Sequence, residues 1–239
     1  MRSNKSILIV GVGGLGVPAA LALARSHAIA RLGLSDPEPV EVSNLHRQIF
    51  YGAGDIGRAK VEAAARYLRQ IDAELKIDPH PIPLDANNAR QIIAGYDFVI
   101  DGTDDPPTKF LINDVALASD TPFAYGGVLA MSGQAMTVIP HRSACIRCLF
   151  EDAPDPAEVA SCREAGILGP IAGAIGNLQA HEALAIAREQ MPAFAGNILT
   201  YDAVSRPRIR ITGVSPRRGC ICGAYEDLAR KDVQAQARH

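Results

Sequence analysis

The first hundred residues alternate short apolar runs with stretches spaced for helices. "KSILIV", residues 5–10, reads as a buried strand that breaks into "GVGGLG". Residues 15–26, rich in Ala and Leu, then predict a helix, and residues 31–35 a second short strand. Val61, Ala64, Ala65, Leu68 and Ile71 recur at helical spacing, predicting an amphipathic helix over 57–71 with Arg58, Lys60, Glu62, Arg66 and Arg69 off its buried stripe. A strand over 75–80, a helix over 85–94, a buried strand over 96–100 and a helix over about 106–118 follow. Strand and helix in alternation imply an α/β fold. Its sheet should be mostly parallel, covered by helices on both faces, with ligands outside the carboxyl ends of the strands.

The second half is less regular. Residues 122–127 and 134–140 read as strands, 171–189 as a long helix of small residues, and 197–201 and 208–212 as closing strands, which should extend the sheet in antiparallel fashion. Between Cys148 and Gly166 lies "LFEDAPDPAEVASCREA", acidic, proline-containing and aperiodic, which predicts a mobile loop. The polar stretch after Gly223 predicts a frayed tail or a short surface helix. With 48% hydrophobic and 21% charged residues in 239, the chain suits one folded domain. A net charge of -2 gives no general reason to bind nucleic acid or an anionic membrane. No signal-type or membrane-spanning apolar stretch is evident, so a cytoplasmic protein is expected.

The chemistry starts at Gly11, Gly13, Gly14 and Gly16, a turn suited to phosphate that is by itself a weak signal. Asp36 ends the second strand 20 residues after Gly16, where a carboxylate accepts both hydrogen bonds of a ribose diol or simply forms a turn before Pro37. NAD and ATP both carry such a ribose. Asn44, Arg47, Gln48 and Lys60 follow in a segment that must return over the same end of the sheet. Hydride transfer develops no negative charge on phosphates, whereas attack on the α-phosphate of ATP does, and fixed cations stabilise it. Lys60 taken alone, without those neighbours, reads as a solvated helix position. Asp104 in "DGTDD" is placed to hold Mg²⁺ together with phosphate oxygens. Asp101 and Asp105 are placed to share that work, or Asp105 to cap the helix that follows.

Five cysteines are too few for a disulfide scaffold. Cys145 and Cys148 form a CxxC, and Cys220 and Cys222 a CxC; together they offer four thiolates to a structural zinc, against free thiols or a disulfide. Adjacent ligation by a CxC should be strained. Cys162, beside Arg163, is either a nucleophile whose thiolate the cation favours or an inert thiol.

In order and spacing, "GVGGLG", "LGLSD", "SNLHRQ", "GRAKVEAAARYL", "DGTDD", "MSGQAMTV", "CIRC", "CREAGILGPIAGAIGNLQAHEA", "YDAVS" and "GCIC" resemble the ubiquitin-activating-enzyme superfamily, and within it the ThiF/MoeB/HesA group. Those enzymes adenylate small sulfur-carrier proteins of thiamin and molybdopterin synthesis. The resemblance implies a single Rossmann-like adenylation domain, with a nucleotide-binding half about 1–120, a carrier-binding and zinc half about 121–223, and a tail at 224–239. It implies that Gly11, Gly13, Gly14, Gly16, Asp36, Asn44, Arg47, Gln48, Lys60 and Asp104 bind or activate MgATP, with Arg47, Lys60 and Asp104 nearest the phosphates. It further implies a homodimer, a ubiquitin-like carrier ending in Gly-Gly, a separate sulfur donor, a structural Zn²⁺, and a place for Cys162 in a covalent link to the carrier. Two departures stand out. Relatives carry an upstream "RYSRQ"-like stretch whose arginine reaches the partner's ATP, which Arg2 hardly replaces, and their TDN with a following Arg becomes Asp104, Asp105 and Lys109 here. Two other functions are open: an NAD-dependent oxidoreductase, and a carrier-binding scaffold with weakened catalysis.

Overall fold

Alternating side chains of the first strand set the layering. The computed structural model describes residues 2–154, 166–206 and 208–224. Strand β1 (Ser6–Val10) sends Ile7 and Ile9 to one face of the sheet and Leu8 and Val10 to the other. Ile7 and Ile9 pack with Leu23 of α1 (Gly16–Ser26) and Leu68 of α2 (Lys60–Ile71). On the opposite face Leu8 and Val10 meet Ile93 of α3 (Ala89–Ile93), Phe110 and Ile112 of α4 (Pro106–Ala118) and Ile146 of the short α5 (Ile146–Leu149). The long α6 (Gly169–Ala187) returns to the first face, where Ala180 and Ala183 join the cluster around Ile7.

The remaining strands are β2 (Arg31–Ser35), β3 (Lys76–His80), β4 (Phe98–Asp101), β5 (Phe123–Leu129), β6 (Ser132–Val138), β7 (Asn197–Asp202) and β8 (Ile209–Gly213). They form one sheet in the order β3-β2-β1-β4-β5-β6-β7-β8. The pairs from β3 to β5 are parallel, and those from β5 to β8 antiparallel. The expected Rossmann-like sheet with an antiparallel C-terminal extension is therefore observed. β1 lies between β2 and β4, in register Ile9↔Leu34 and Ile9↔Ile100. Connections leave β1 and β4 toward opposite edges there, which opens a crevice above the strand ends.

Three elements depart from expectation. Helix α2 begins at Lys60 rather than at 57, because Gly57 takes a φ of +82° and the chain bridges back through Pro39↔Ala59. The helix expected over 85–94 contracts to α3, since the Asp85 carboxylate accepts from Asn87 N and Asn88 N in a local turn. The stretch expected as loop from Cys148 starts inside α5, and Ala224, assigned to the tail, is fully buried. Cys162 lies outside the described residues. No described helix is long and apolar enough to cross a membrane.

Candidate functional site

The loop after β1 is held by contacts that admit no side chain. Gly11 has a φ of +86°, and a Cβ there would stand 2.7 Å from the Gly102 carbonyl carbon; one on Gly16 would stand 1.9 Å from the Gly11 oxygen. The loop thus lies against the turn after β4, and α1 starts directly behind it without a side-chain cap, the arrangement in which helix N-termini accept anions. Asp36 braces the loop from β2: Val12 N–H donates to its Oδ2 at 2.8 Å and Glu38 N–H to its Oδ1 at 2.9 Å. Burial pushes the Asp36 carboxyl above the ordinary range, opposed by the nearby Lys60 charge and by those two hydrogen bonds.

The segment after β2 does return over this end of the sheet. A 3-10 turn at Val42–Asn44 lets the Asn44 carbonyl accept from both Arg47 N and Gln48 N. The Arg47 guanidinium donates to Asn44 Oδ1 at 2.7 Å and to Ser43 O at 3.2 Å, and its Cδ passes 3.9 Å from a Cβ built on Gly14. Gln48 is buried with Nε2 at 3.4 Å from a Cβ built on Gly13, and its Oε1 has no partner among the described residues. An unmet buried amide costs ~1–3 kcal/mol, so this orphan beside the glycine loop fits a polar ligand. Lys60 is only 3% exposed, which corrects the reading of it as a solvated helix position. Its Nζ lies 2.5 Å from Glu38 Oε2, and its amide donates to Glu38 O. Tyr51 Oη donates to Val12 O at 2.8 Å with Lys60 O at 3.3 Å, so it links the loop to the start of α2. Burial raises the Tyr51 phenol well above its ordinary pKa, and it stays protonated as a donor.

The three aspartates after β4 have separate fates. Asp101 is fully buried, its carboxylate accepting from Lys109 Nζ at 3.0 and 3.2 Å and from the Thr103 amide and hydroxyl. It is therefore not available to share a metal, contrary to the sequence expectation. Asp105 caps α4 through Thr108 N at 2.9 Å. Asp104, two residues past Gly102, is exposed with no hydrogen-bond partner among the described residues. Arg47, Lys60 and Asp104 thus all lie on segments that touch the glycine loop or its Asp36 brace. Glu38, Tyr51 and Lys109 adjoin these residues as well. Tyr51 carries no signal in the sequence, and Glu38 is hidden there in a proline turn. Arg2, weighed as a replacement cation, is instead held near the amino end of β1 by Asp72.

Four of the cysteines come together. The Sγ atoms of Cys145, Cys148, Cys220 and Cys222 all lie within 4.8 Å of one another, with Cys145–Cys220 and Cys148–Cys222 at 3.6 Å. Tetrahedral zinc with bonds of about 2.3 Å sets sulfurs about 3.8 Å apart, so the donor set fits that ion. The CxC is accommodated because Gly219 and Gly223, at φ +71° and +64°, fold the chain sharply on either side of it. Arg217 N–H donates to Cys148 Sγ at 3.3 Å, the outer support that thiolate ligands favour. The hydrogen bond from Cys145 holds the Cys222 thiol down at about 5, whereas that same bond and burial push Cys145 up.

The chain matches the model of the ThiF family over residues 2–222. It is 40% identical over 202 residues to the adenylyltransferase and sulfurtransferase MOCS3 of Xenopus laevis, covering 84% of this chain and 45% of that protein. It is 35% identical over 223 residues to the sulfur carrier protein adenylyltransferase of Thermus thermophilus, covering 91% of this chain and 82% of that one. The chain spans about half the length of the MOCS3 relatives it matches. The crystal structure of E. coli MccB with ATP superposes with a TM-score of 0.80 at 17% identity, over 92% of this chain and 66% of that one, a likeness of fold.

Proposed function

The chain belongs to the ThiF family, and from that premise we propose that it is an ATP-dependent adenylyltransferase, activating the C-terminal glycine of a small ubiquitin-like sulfur carrier as an acyl adenylate for sulfur transfer of the thiamin or molybdopterin type. The observation that carries this reading is the buried Lys60 beside Asp36, with Arg47 against Gly14, at a loop beside which the Gln48 Oε1 is unmet. A nicotinamide oxidoreductase leaves those two cations without work.

In this reading the loop amides from Gly11 to Gly16 and the α1 N-terminus receive phosphate oxygens. Asp36 keeps lone pairs for the ribose diol beyond the two backbone amides it already accepts. Arg47 turns from Asn44 and Ser43, and Lys60 from Glu38, to meet the charge that grows on the α-phosphate and the departing pyrophosphate. Asn44 holds Arg47 beside the loop before nucleotide binds, and Gln48 offers its unmet Oε1 to the ligand. Mg²⁺, when bound, neutralises phosphate charge and aligns the leaving group, and Asp104 is the carboxylate that would hold it. The carrier's terminal carboxylate attacks phosphorus, and the bond to pyrophosphate breaks. Zn²⁺ on the four cysteines would tie the segment after β8 to α5 as a structural site. Cys162 belongs to the step that links enzyme and carrier.

The reading includes a cytoplasmic homodimer, supported by the open groove between α1 and α6 beside Arg47, which is lined by the exposed Ile49 together with Gly169 and Gly173. Carrier-dependent exchange of pyrophosphate into ATP tests the activity. Exchange with at least one ubiquitin-like carrier is expected; ATP binding without exchange for every such carrier would leave only a binding scaffold.

A further inference from the structure

The end of β4 is clamped from three sides. Gly102 abuts Gly11, so that a Cβ on Gly102 would lie 2.7 Å from the Gly11 oxygen. From α6, Gln179 Nε2 donates to Asp101 O at 2.7 Å and to Ala124 O at 3.0 Å, tying β4 to β5. From α4, Lys109 Nζ reaches both Asp101 carboxylate oxygens and Gly126 O at 2.6 Å, and lies 5.1 Å from the Tyr125 ring centroid. All of the lysine's hydrogen-bonding capacity is spent inward. Asp101 in turn holds the Thr103 amide and hydroxyl, and Asp105 is consumed as the cap of α4. Of three acidic residues within five positions, one faces solvent without a partner among the described residues: Asp104.

We propose that Lys109 is a positioning residue for the metal–nucleotide site. By pairing with Asp101 and Gly126 it withdraws one carboxylate and fixes the turn of residues 102–105, so that Asp104 alone is presented to the metal on the triphosphate. This rests on the MgATP reading above. The alternative, a purely structural buried ion pair, predicts that a neutral pair of similar volume works equally well.

Three variants separate the two, with Mn²⁺ as the spectroscopic probe in place of Mg²⁺. In K109M, Asp101 loses its cation, and Mn²⁺ binding in the absence of ATP, read by electron paramagnetic resonance, should strengthen. Exchange should meanwhile fall about 100-fold, since a turn misplaced by about 1 Å costs that much. In D101N/K109M no charge is left buried, so the thermal midpoint should return toward that of the parent. The nucleotide-free Mn²⁺ binding should vanish, yet half-saturation of the Mn²⁺–ATP complex should stay raised about tenfold, equal to the loss of roughly 1.4 kcal/mol. K109R keeps a cation and should recover most of the rate and the parent metal dependence. A folded D101N/K109M that binds Mn²⁺–ATP and exchanges like the parent overturns the proposal, even where K109M does not fold. If the parent binds Mn²⁺–ATP but exchanges with no carrier, the adenylation reading falls while the Mn²⁺ comparison still decides Lys109. If the parent binds no Mn²⁺–ATP at all, both fall.

Discussion

Lys60 Nζ lies 2.5 Å from Glu38 Oε2 at a point where the lysine is 3% exposed and the Glu38 side chain 53%. The pair is set up by backbone: the Pro39↔Ala59 bridge and the Lys60 N–H bond to Glu38 O draw the start of α2 onto the end of β2. The same lysine feels the buried Asp36 carboxylate. A cation so placed is shared between two acids and, in the adenylation reading, a triphosphate.

Removing either member should act in opposite directions. Lys60→Met should lower pyrophosphate exchange by ~10²- to 10³-fold, the usual cost of losing one stabiliser of developing charge. Glu38→Gln should strengthen ATP binding about threefold to tenfold, because the competing charge-assisted bond is gone. Calorimetric titration with ATP reads the second effect. Unchanged affinity would mean that Lys60 keeps Glu38 when nucleotide binds.

Helix α6 presses on the glycine loop through Gly176, whose Cβ, if present, would stand 2.2 Å from the Leu15 oxygen. Gly176→Ala should therefore destabilise by ~1–3 kcal/mol and weaken ATP binding together. One turn away Gly173 has open space around the same vector, so Gly173→Ala should stabilise by ~0.5–1 kcal/mol. Equal thermal shifts for the two would refute the close packing of α6 on the loop.

Asp72 is buried, and burial alone would raise its carboxyl; hydrogen bonds from Arg2 and His27 outweigh that and hold it below the ordinary range. A depressed carboxylate contributes stability that is present above the unfolded-state pKa, about 3.9, and is lost as pH falls through the lower folded value. Asp72→Asn should thus cost ~1–2 kcal/mol near neutral pH and progressively less in acid. Chemical denaturation at a series of pH values would show the two curves converging as pH falls through the lowered folded-state value, and a difference independent of pH would exclude the charge as its cause.

The cysteine cluster should hold about one zinc per chain by elemental analysis. Chelation, or Cys222→Ser, should lower the thermal midpoint sharply, since an ion on the four cysteines would tie the segment after β8 to α5. A metal-free protein with an unchanged midpoint would contradict a structural zinc.

Local pattern determined much of this protein. Apolar runs of four to six residues, period-2 burial in β1 and the Ala- and Leu-rich helices depend on near neighbours in the chain, and the parallel sheet follows from their alternation. The glycine loop, Asp36 and the cysteine pairs were legible because each is a contiguous motif. What only the tertiary structure decided is which charges meet. Periodicity put Lys60 on a solvated face, but a long-range bridge moved the helix start and buried it against Glu38. Three aspartates within five positions look alike in sequence, yet Lys109, itself anchored on Gly126 O, takes Asp101 inward, Thr108 takes Asp105, and Asp104 is left facing out. The physical reason is that hydrophobic periodicity is a property of one segment, whereas the environment of a charge depends on groups brought to it from others by folding.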